Sequence, residues 1–261
     1  MRKLRYKTMA RTEYGLQIYS VRDITEDSMK LALRKIAEMG YKYVEFAGFF
    51  DYLPEQIKLW LDSFGLECSG THTGMQALTP ENIDETIRYH KVIGCNNLIV
   101  PWCDWSDAPA AIEKLNEAQK KLAENGICLG YHNHSREFFP DANGVVFEDE
   151  LYEKTTLNLE IDTFWAFNAG LDVIGYLEAH KDRIRVIHLK DGFASPAENK
   201  NFDHVHDGAV GCSVGSGANI IPEIREWANK NGVLMVIESE SLNPTGLEEV
   251  ERCITYLRTL D

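Results

Sequence analysis

The segment GYHNHSREF, residues 130–138, sets two histidines one residue apart where the apolar run Ile127-Cys128-Leu129 gives out. Successive side chains on a strand point to opposite faces, so His132 and His134 share a face and Asn133 turns away. Three later segments end in the same manner. LNLEID closes on Asp162 with Glu160 on its face, RVIHLKD carries His188 and Lys190 on one face with Asp191 next in line, and LMVIESE carries Glu238 and Glu240. Carboxylates buried together are costly unless a cation or protons compensate. A divalent metal compensates directly, and a mixed shell of imidazole and carboxylate suits manganese, cobalt, iron or zinc better than calcium. Taken singly, each residue has a plainer role: a strand-end histidine is usually a hydrogen-bonded core or rim residue, Asp162 can cap a turn, and Glu238 and Glu240 can pair with basic loop residues. It is the set, on consecutive segments, that points to a site.

The elements that must position these residues share a local grammar. In AEMGYKYVEF, DSFGLECSG, KVIGCNNLIV, AENGICLGYH and ANKNGVLMVIE a charged amphipathic stretch runs into a glycine and then into a short β-prone run. Gly40, Gly65, Gly94, Gly126 and Gly232 suit the left-handed position just past a helix, so each unit reads as helix, turn, strand. The pattern predicts strands near Gly15–Tyr19, Tyr43–Ala47, Leu66–Thr71, Asn97–Val100, Ile127–His132, Leu157–Asp162, Ile184–His188 and Leu234–Glu238. It predicts helices over Ser28–Met39, Leu53–Phe64, Glu81–Ile93, Ala108–Asn125, Asp172–Ala179, Ile220–Asn231 and Gly246–Leu260, with a weaker one at Val146–Glu153. Eight strands alternating with helices imply a parallel sheet closed into a (β/α)8 barrel, a single domain spanning residues 1–261. An open doubly wound sheet is the rival, but no GxGxxG follows the first strand and GxxxxGK[ST] is absent. The longest irregular stretch, Gly192 to Ala218, follows the seventh strand, where βα loops shape barrel sites.

Composition narrows the partners. The 261 residues hold 41 acidic against 27 basic side chains, a net charge of -14, which disfavours docking on nucleic acid or an anionic membrane. Six scattered cysteines form no CxxC pair and read as reduced thiols. The basic start MRKLRYKTMARTEYG leads into no apolar stretch of signal-peptide length, and nothing approaches a membrane span. A soluble cytoplasmic protein is the expectation, with self-association left open.

At these residues the chain resembles the xylose-isomerase-like TIM-barrel superfamily, which holds sugar-phosphate isomerases and epimerases, inosose dehydratases and endonuclease IV. The resemblance runs from LQIYSVRD through YHNHSREF, LNLEIDTFWAFNAG, RIRVIHLKDG and VGSGANI to VIESE. In that family one divalent ion is held by a glutamate on strand five, an aspartate on strand six, a histidine on strand seven and a glutamate on strand eight. The resemblance implies Asp162, His188 and Glu238 as ligands. At strand five many members read ENH where this chain reads His132-Asn133-His134, a variant familiar in the branch resembling inosose dehydratases. His132 is then the fourth ligand or a base beside the metal, and Glu160 is the candidate to fix its tautomer. The implied cofactor is one divalent ion, manganese first, with zinc, cobalt or magnesium as alternatives.

The implied activity is isomerisation or epimerisation of a sugar or sugar phosphate by proton transfer through a metal-stabilised enediolate, with Glu238, His132 and His134 as acid–base candidates. Lys190, Trp165, His72, Trp102 and Glu45 are candidate contacts for a small carbohydrate or cyclitol. His204 and His206 lie in the loop NFDHVHDGAVG, a candidate lid. Loss of a neighbouring hydroxyl after the same first step would instead make the protein a dehydratase or lyase of a keto-sugar or inosose. A non-catalytic sugar-binding barrel is the alternative of another class. Phosphodiester cleavage of the endonuclease IV kind calls for a basic DNA face, which this composition does not offer.

Overall fold

The computed structural model describes residues 12–261; residues 1–11, which the single-domain reading includes, lie outside them. Eight parallel strands form a closed barrel: β1 (Gly15–Gln17), β2 (Tyr43–Phe46), β3 (Glu67–His72), β4 (Asn97–Val100), β5 (Cys128–His132), β6 (Asn158–Asp162), β7 (Ile184–Leu189) and β8 (Leu234–Ile237). Each pairs with the next, and β8 returns to β1 through Gly15↔Val236 and Leu16↔Ile237. Around them lie α1 (Arg22–Met39), α2 (Pro54–Phe64), α3 (Ile83–Ile93), α4 (Ala108–Glu124), α5 (Phe147–Lys154), α6 (Thr163–Ala169), α7 (Val173–Ala179), α8 (Ile221–Asn231) and α9 (Gly246–Arg258). This is the expected (β/α)8 barrel. No helix among the described residues is long and apolar enough to cross a membrane.

Helical periodicity accounts for the outer layer. On α4 the buried positions Ala108, Ala111, Ile112, Leu115, Ala118 and Leu122 recur every three or four residues and make one stripe against the sheet. Its start is fixed by Asp107, whose carboxylate accepts from the Ala110 N–H at 3.2 Å, with proline in the first turn. The five glycines expected past helix ends all take positive φ. The strands, buried on both faces, supply Leu98, Val100, Leu129, Leu159, Ile161, Ile187 and Val236 to the core.

Four local differences from the sequence reading have physical causes. The first helix begins at Arg22 instead of Ser28; Ser28 marks a kink inside it, with extended φ/ψ of -156° and 74°. The third helix starts at Ile83, two residues late, because Thr79 accepts from the N–H groups of Asn82 and Ile83 in a preceding turn. A short extra helix, α6, follows β6 at once because Asp162 caps it. The stretch expected to be irregular holds an antiparallel ribbon, Asp191–Phe193 against Val210–Cys212, too short to show periodicity.

Candidate functional site

Strand register puts the titratable side chains in one place. His132 pairs with Glu160 across β5–β6, and Asp162 with His188 across β6–β7. Paired residues on parallel strands share a face, so all four side chains enter the barrel mouth. One donor atom from each of His132, Asp162, His188 and Glu238 lies within 4.8 Å of the others, and the same holds for His72, His132, Glu160 and His188. Of the residues expected at the site, His132, Asp162, His188, Glu238, Lys190, His72, Glu45 and Glu160 all reach this cluster. His72, His132, His134 and Glu238, with Tyr19, Pro101 and Glu240, line a cavity of about 520 Å³.

Asp162 divides its carboxylate between two tasks. Oδ1 accepts the N–H groups of Phe164 at 2.9 Å and Trp165 at 3.0 Å, capping α6. Oδ2 is buried with no hydrogen-bond partner, 3.5 Å from Lys190 Nζ and 4.0 Å from His132 Nε2. Both readings of Asp162, cap and cavity group, are therefore true of one side chain. Asn133, which turns away from the cavity, clamps the same residue: its Oδ1 accepts the Asp162 N–H at 3.0 Å, and its amide donates to the Asp162 carbonyl at 3.3 Å.

Below the mouth the rings are held by carboxylates. His188 Nε2 lies 2.7 Å from Glu45 Oε1 and 3.0 Å from Glu160 Oε1, and its Nδ1 lies 3.3 Å from Glu238 Oε2. His72 Nε2 is 2.7 Å from Glu160 and 3.2 Å from Glu45. Glu160 thus holds two rings; its 3.3 Å approach to His132 Nδ1 is not aligned as a hydrogen bond, so the expected fixing of the His132 tautomer by Glu160 is not made here. Glu45, expected to meet substrate hydroxyls, is fully buried and bound to ring nitrogens and to Gln17, so it braces His188 instead of facing the cavity. Room for it comes from Gly70, where a Cβ would stand 2.9 Å from Glu45 Oε2 and 2.6 Å from Ile99.

Lys190 is buried beneath the opening, 3.1 Å from Glu238 and 2.5 Å from Glu240, with its ammonium 4.7 Å above the ring of Trp165. Asp191 fixes the backbone there. Its two oxygens accept the N–H groups of Gly192, Gly215, Gly217 and Asn219, and the Asn219 amide donates to the Lys190 carbonyl at 2.9 Å. A Cβ on Gly217 would stand 2.2 Å from the Asp191 carboxylate, which explains the glycine in VGSGANI.

The electrostatics follow from this packing. Burial opposes charge on His188 and His72, but the carboxylates of Glu160 and Glu45 outweigh it, raising His188 well above its ordinary range and His72 to about 9. Burial and then repulsion from His188 and His72 push His132 well down, keeping it neutral. Burial lifts Asp162 to about 6 despite Lys190. For Glu238, burial is overcome by Lys190 and His188, which hold its carboxyl well below the usual range.

His134 stands at the rim, its ring 5.0 Å from His132 and 5.9 Å from Trp165, with its backbone N–H held by the buried Glu137. Trp102 is set apart: it is 57% exposed and lines a neighbouring groove with Trp105 instead of the main cavity. In the long loop, His204 turns outward to Asp207 at 2.9 Å, while His206 rests on Trp165 with ring centres 4.8 Å apart. The sequence reading missed Gln17, which donates to Glu45 at 2.8 Å; the strand-end rule applied to β1 finds it.

Comparison with known proteins agrees with this architecture. The chain is 26% identical over 188 residues to an inosose dehydratase of Geobacillus kaustophilus, a match covering 61% of this chain and 60% of that protein's length. A sugar phosphate isomerase/epimerase of Parabacteroides distasonis superposes with a TM-score of 0.77 at 23% identity, over 95% of this chain and 98% of that one. An L-ribulose 3-epimerase superposes with a TM-score of 0.68 at 11% identity, over 96% and 94% of the two chains. At such identities the superpositions speak for the fold. Residues 33–260, which span the cluster from Glu45 to Glu240, match the family model described as xylose isomerase-like TIM barrel, and the chain belongs to that family.

Proposed function

We propose that the protein is a divalent-metal-dependent isomerase or epimerase of a sugar or sugar phosphate, with His132, Asp162, His188 and Glu238 as the metal ligands. The convergence of four donors within 4.8 Å carries the reading. Donors about 2.1 Å from a common ion stand at most about 4.2 Å apart, so only a small contraction is required. Asp162 Oδ2, buried without a hydrogen-bond partner though 3.5 Å from the Lys190 ammonium, and fixed by the cap on Oδ1, is a donor already aimed. Two imidazoles with two carboxylates suit a divalent ion that accepts both donor types, with manganese taken first and zinc, cobalt or magnesium as alternatives.

A divalent ion held by His132, Asp162, His188 and Glu238 would supply Lewis acidity to adjacent carbonyl and hydroxyl oxygens of a sugar, which would favour removal of a carbon-bound proton beside them. The chain's own groups do the rest. Glu238, kept ionised by Lys190 and His188, is in the state needed to accept a proton; His132, kept neutral by burial, is in the state a metal ligand needs, or takes the proton itself where it stands beside the ion, and His134 at the rim is the candidate to return it. Lys190, braced by Glu240 over Trp165, presents a buried ammonium to a developing oxyanion or a phosphate. His72 binds a hydroxyl from the cavity wall, and Glu45 and Glu160 orient the rings.

A second reading, dehydration of a keto-sugar or inosose, is favoured by His132 at the strand-five position and by the similarity to an inosose dehydratase. One experiment separates the two. The manganese-loaded protein is incubated in deuterated water with aldo- and keto-sugars, free and phosphorylated, and with a keto-inositol, and products are followed by NMR and ultraviolet absorbance. Deuterium at a carbon of an isomerised or epimerised sugar supports the proposal; an absorbing enone with loss of water supports dehydration. Absence of both, with no metal bound, overturns the enzyme assignment.

A further inference from the structure

Next to the imidazole and carboxylate cavity, at the same end of the barrel, lies a second cavity of about 310 Å³. Trp102 and Trp105 from the loop after β4, Arg136 from the turn after β5 and Phe202 from the loop after β7 form its walls, with Asp104 and Asn143 at the rim. Trp105 is stacked on Phe147 with ring centres 4.8 Å apart and meets Phe202 edge-on at 6.4 Å, so this floor is rigid. Trp102, 57% exposed, offers its indole to whatever enters.

The two cavities are neighbours along the chain and in space. Pro101 lines the first and Trp102 the second; His134 lines the first and Arg136 the second. The loop that supplies Phe202 to the second cavity also carries His206, whose ring lies 6.3 Å from that of His134 and 4.8 Å from that of Trp165. Burial is the main cause that depresses His206 to about 4 and keeps it neutral. His206 Nε2 and Trp165 Nε1 are both buried with no hydrogen-bond partner. Buried polar atoms of that kind are uncommon and ask for a polar partner.

We propose that this groove is a second carbohydrate subsite. The substrate carries a sugar unit beyond the ring that reacts: the reacting ring enters the larger cavity and the second rests on Trp102, with Arg136 beside it. The chemistry of the walls selects this class. A pyranose has an apolar C–H face edged by hydroxyls, which matches an indole face bordered by guanidinium, carboxylate and amide. Arg136, Asp104 and Asn143 are exposed at the edge of the groove, where ring hydroxyls can reach them, and a small ion would gain nothing from the indoles. The inference rests on the carbohydrate reading of the main cavity and deepens it.

The test is titration calorimetry and saturation-transfer NMR on the manganese-loaded protein. Cellobiose, maltose, lactose and sucrose are compared with glucose, galactose and fructose, for the wild type and for Trp102→Ala and Phe202→Ala. At least one disaccharide binds about tenfold tighter than its component monosaccharides, and Trp102→Ala, at an exposed position, removes that ratio. Phe202→Ala reduces it. Monosaccharides that bind as tightly as every disaccharide, or a ratio unchanged in Trp102→Ala, overturn the subsite and leave the reading of the main cavity standing. Binding of none of these sugars overturns both.

Discussion

Asp162→Asn separates what the fold asks of this residue from what the chemistry asks. Asparagine caps a helix as well as aspartate, so the bonds from the Phe164 and Trp165 N–H groups survive. What disappears is the charge on Oδ2. The lift of the Asp162 carboxyl from its ordinary 3.8 to about 6, driven first by burial, corresponds to about 3 kcal/mol against the ionised form in the metal-free protein. The folded pKa lies above the unfolded one, so the folded chain holds its proton longer. Wild-type stability therefore falls as pH rises through the window from about 4 to about 6, and the loss is complete above it. Metal-free Asp162→Asn should match the wild type near pH 4 and exceed it at pH 8 by up to about 3 kcal/mol, less what an amide facing Lys190 costs. With manganese at a thousandfold excess over the wild-type Kd the order should reverse, because the wild type gains about 4.1 kcal/mol and the variant gains far less. Urea denaturation at the two pH values, with chelator and with manganese, measures all four states. A metal-free variant less stable than the wild type at pH 8, or one that manganese stabilises equally, refutes the reasoning.

Three further outcomes follow from the same geometry. Glu238→Gln should abolish turnover while the far-UV spectrum stays native; retained activity would remove Glu238 from the ligand and base assignments. Metal uptake should release protons, because His188, with Glu45 at Nε2 and Glu238 at Nδ1, is held protonated until a nitrogen is taken by the ion. Calorimetry in buffers of different ionisation enthalpy reads that release, and a heat independent of buffer would contradict it. Glu148, raised to about 7 chiefly by burial although Tyr176 donates to it at 2.6 Å, should make stability fall as pH climbs from about 4.5 to about 7. Glu148→Gln should flatten that dependence in thermal melts from pH 5 to 8, and an unchanged slope would place its origin elsewhere.

The barrel was legible because its signals are local. Helix stripes, left-handed glycines and short apolar runs repeat at intervals that each unit shows by itself, and eight such units leave few ways to close a sheet. The parts that stayed hidden depend on contacts made at a distance. The helix α6 starts on Asp162, whose side chain looks like a site residue and is also a cap. The ribbon of Asp191–Phe193 with Val210–Cys212 has three residues a side and no period to detect. Ser28 reads as a helix start because it interrupts the pattern, but the chain on both sides of it is helical.

In the site, legibility stops at the layer whose residue types announce chemistry. His132, Asp162, His188, Glu238 and Lys190 were visible because charge at the end of an apolar strand is unusual whatever surrounds it. Gln17 and Asn133 are recognised only by what they hold, an amide donating to the Glu45 carboxylate and a clamp on the Asp162 backbone, while Glu45 and Glu160 stand out by type and show which rings they touch only in the fold. Glu45 shows the limit most clearly: its place at a strand end marks it as a site carboxylate but does not reveal that it is buried against His188 and His72. Whether such a group meets substrate or braces a ligand is decided by Gly70 on the next strand, which leaves the space that draws its carboxylate down between His188 and His72. Trp102 and Trp165 divide in the same way. Both follow a barrel strand, yet only Trp165 lies under Lys190, because α6 begins at Asp162 and carries it there. The supporting layer sets ring orientation and protonation, and hence which nitrogen meets a cation or a proton. Residue type names the groups that act, and the packing around them decides which action is open to each.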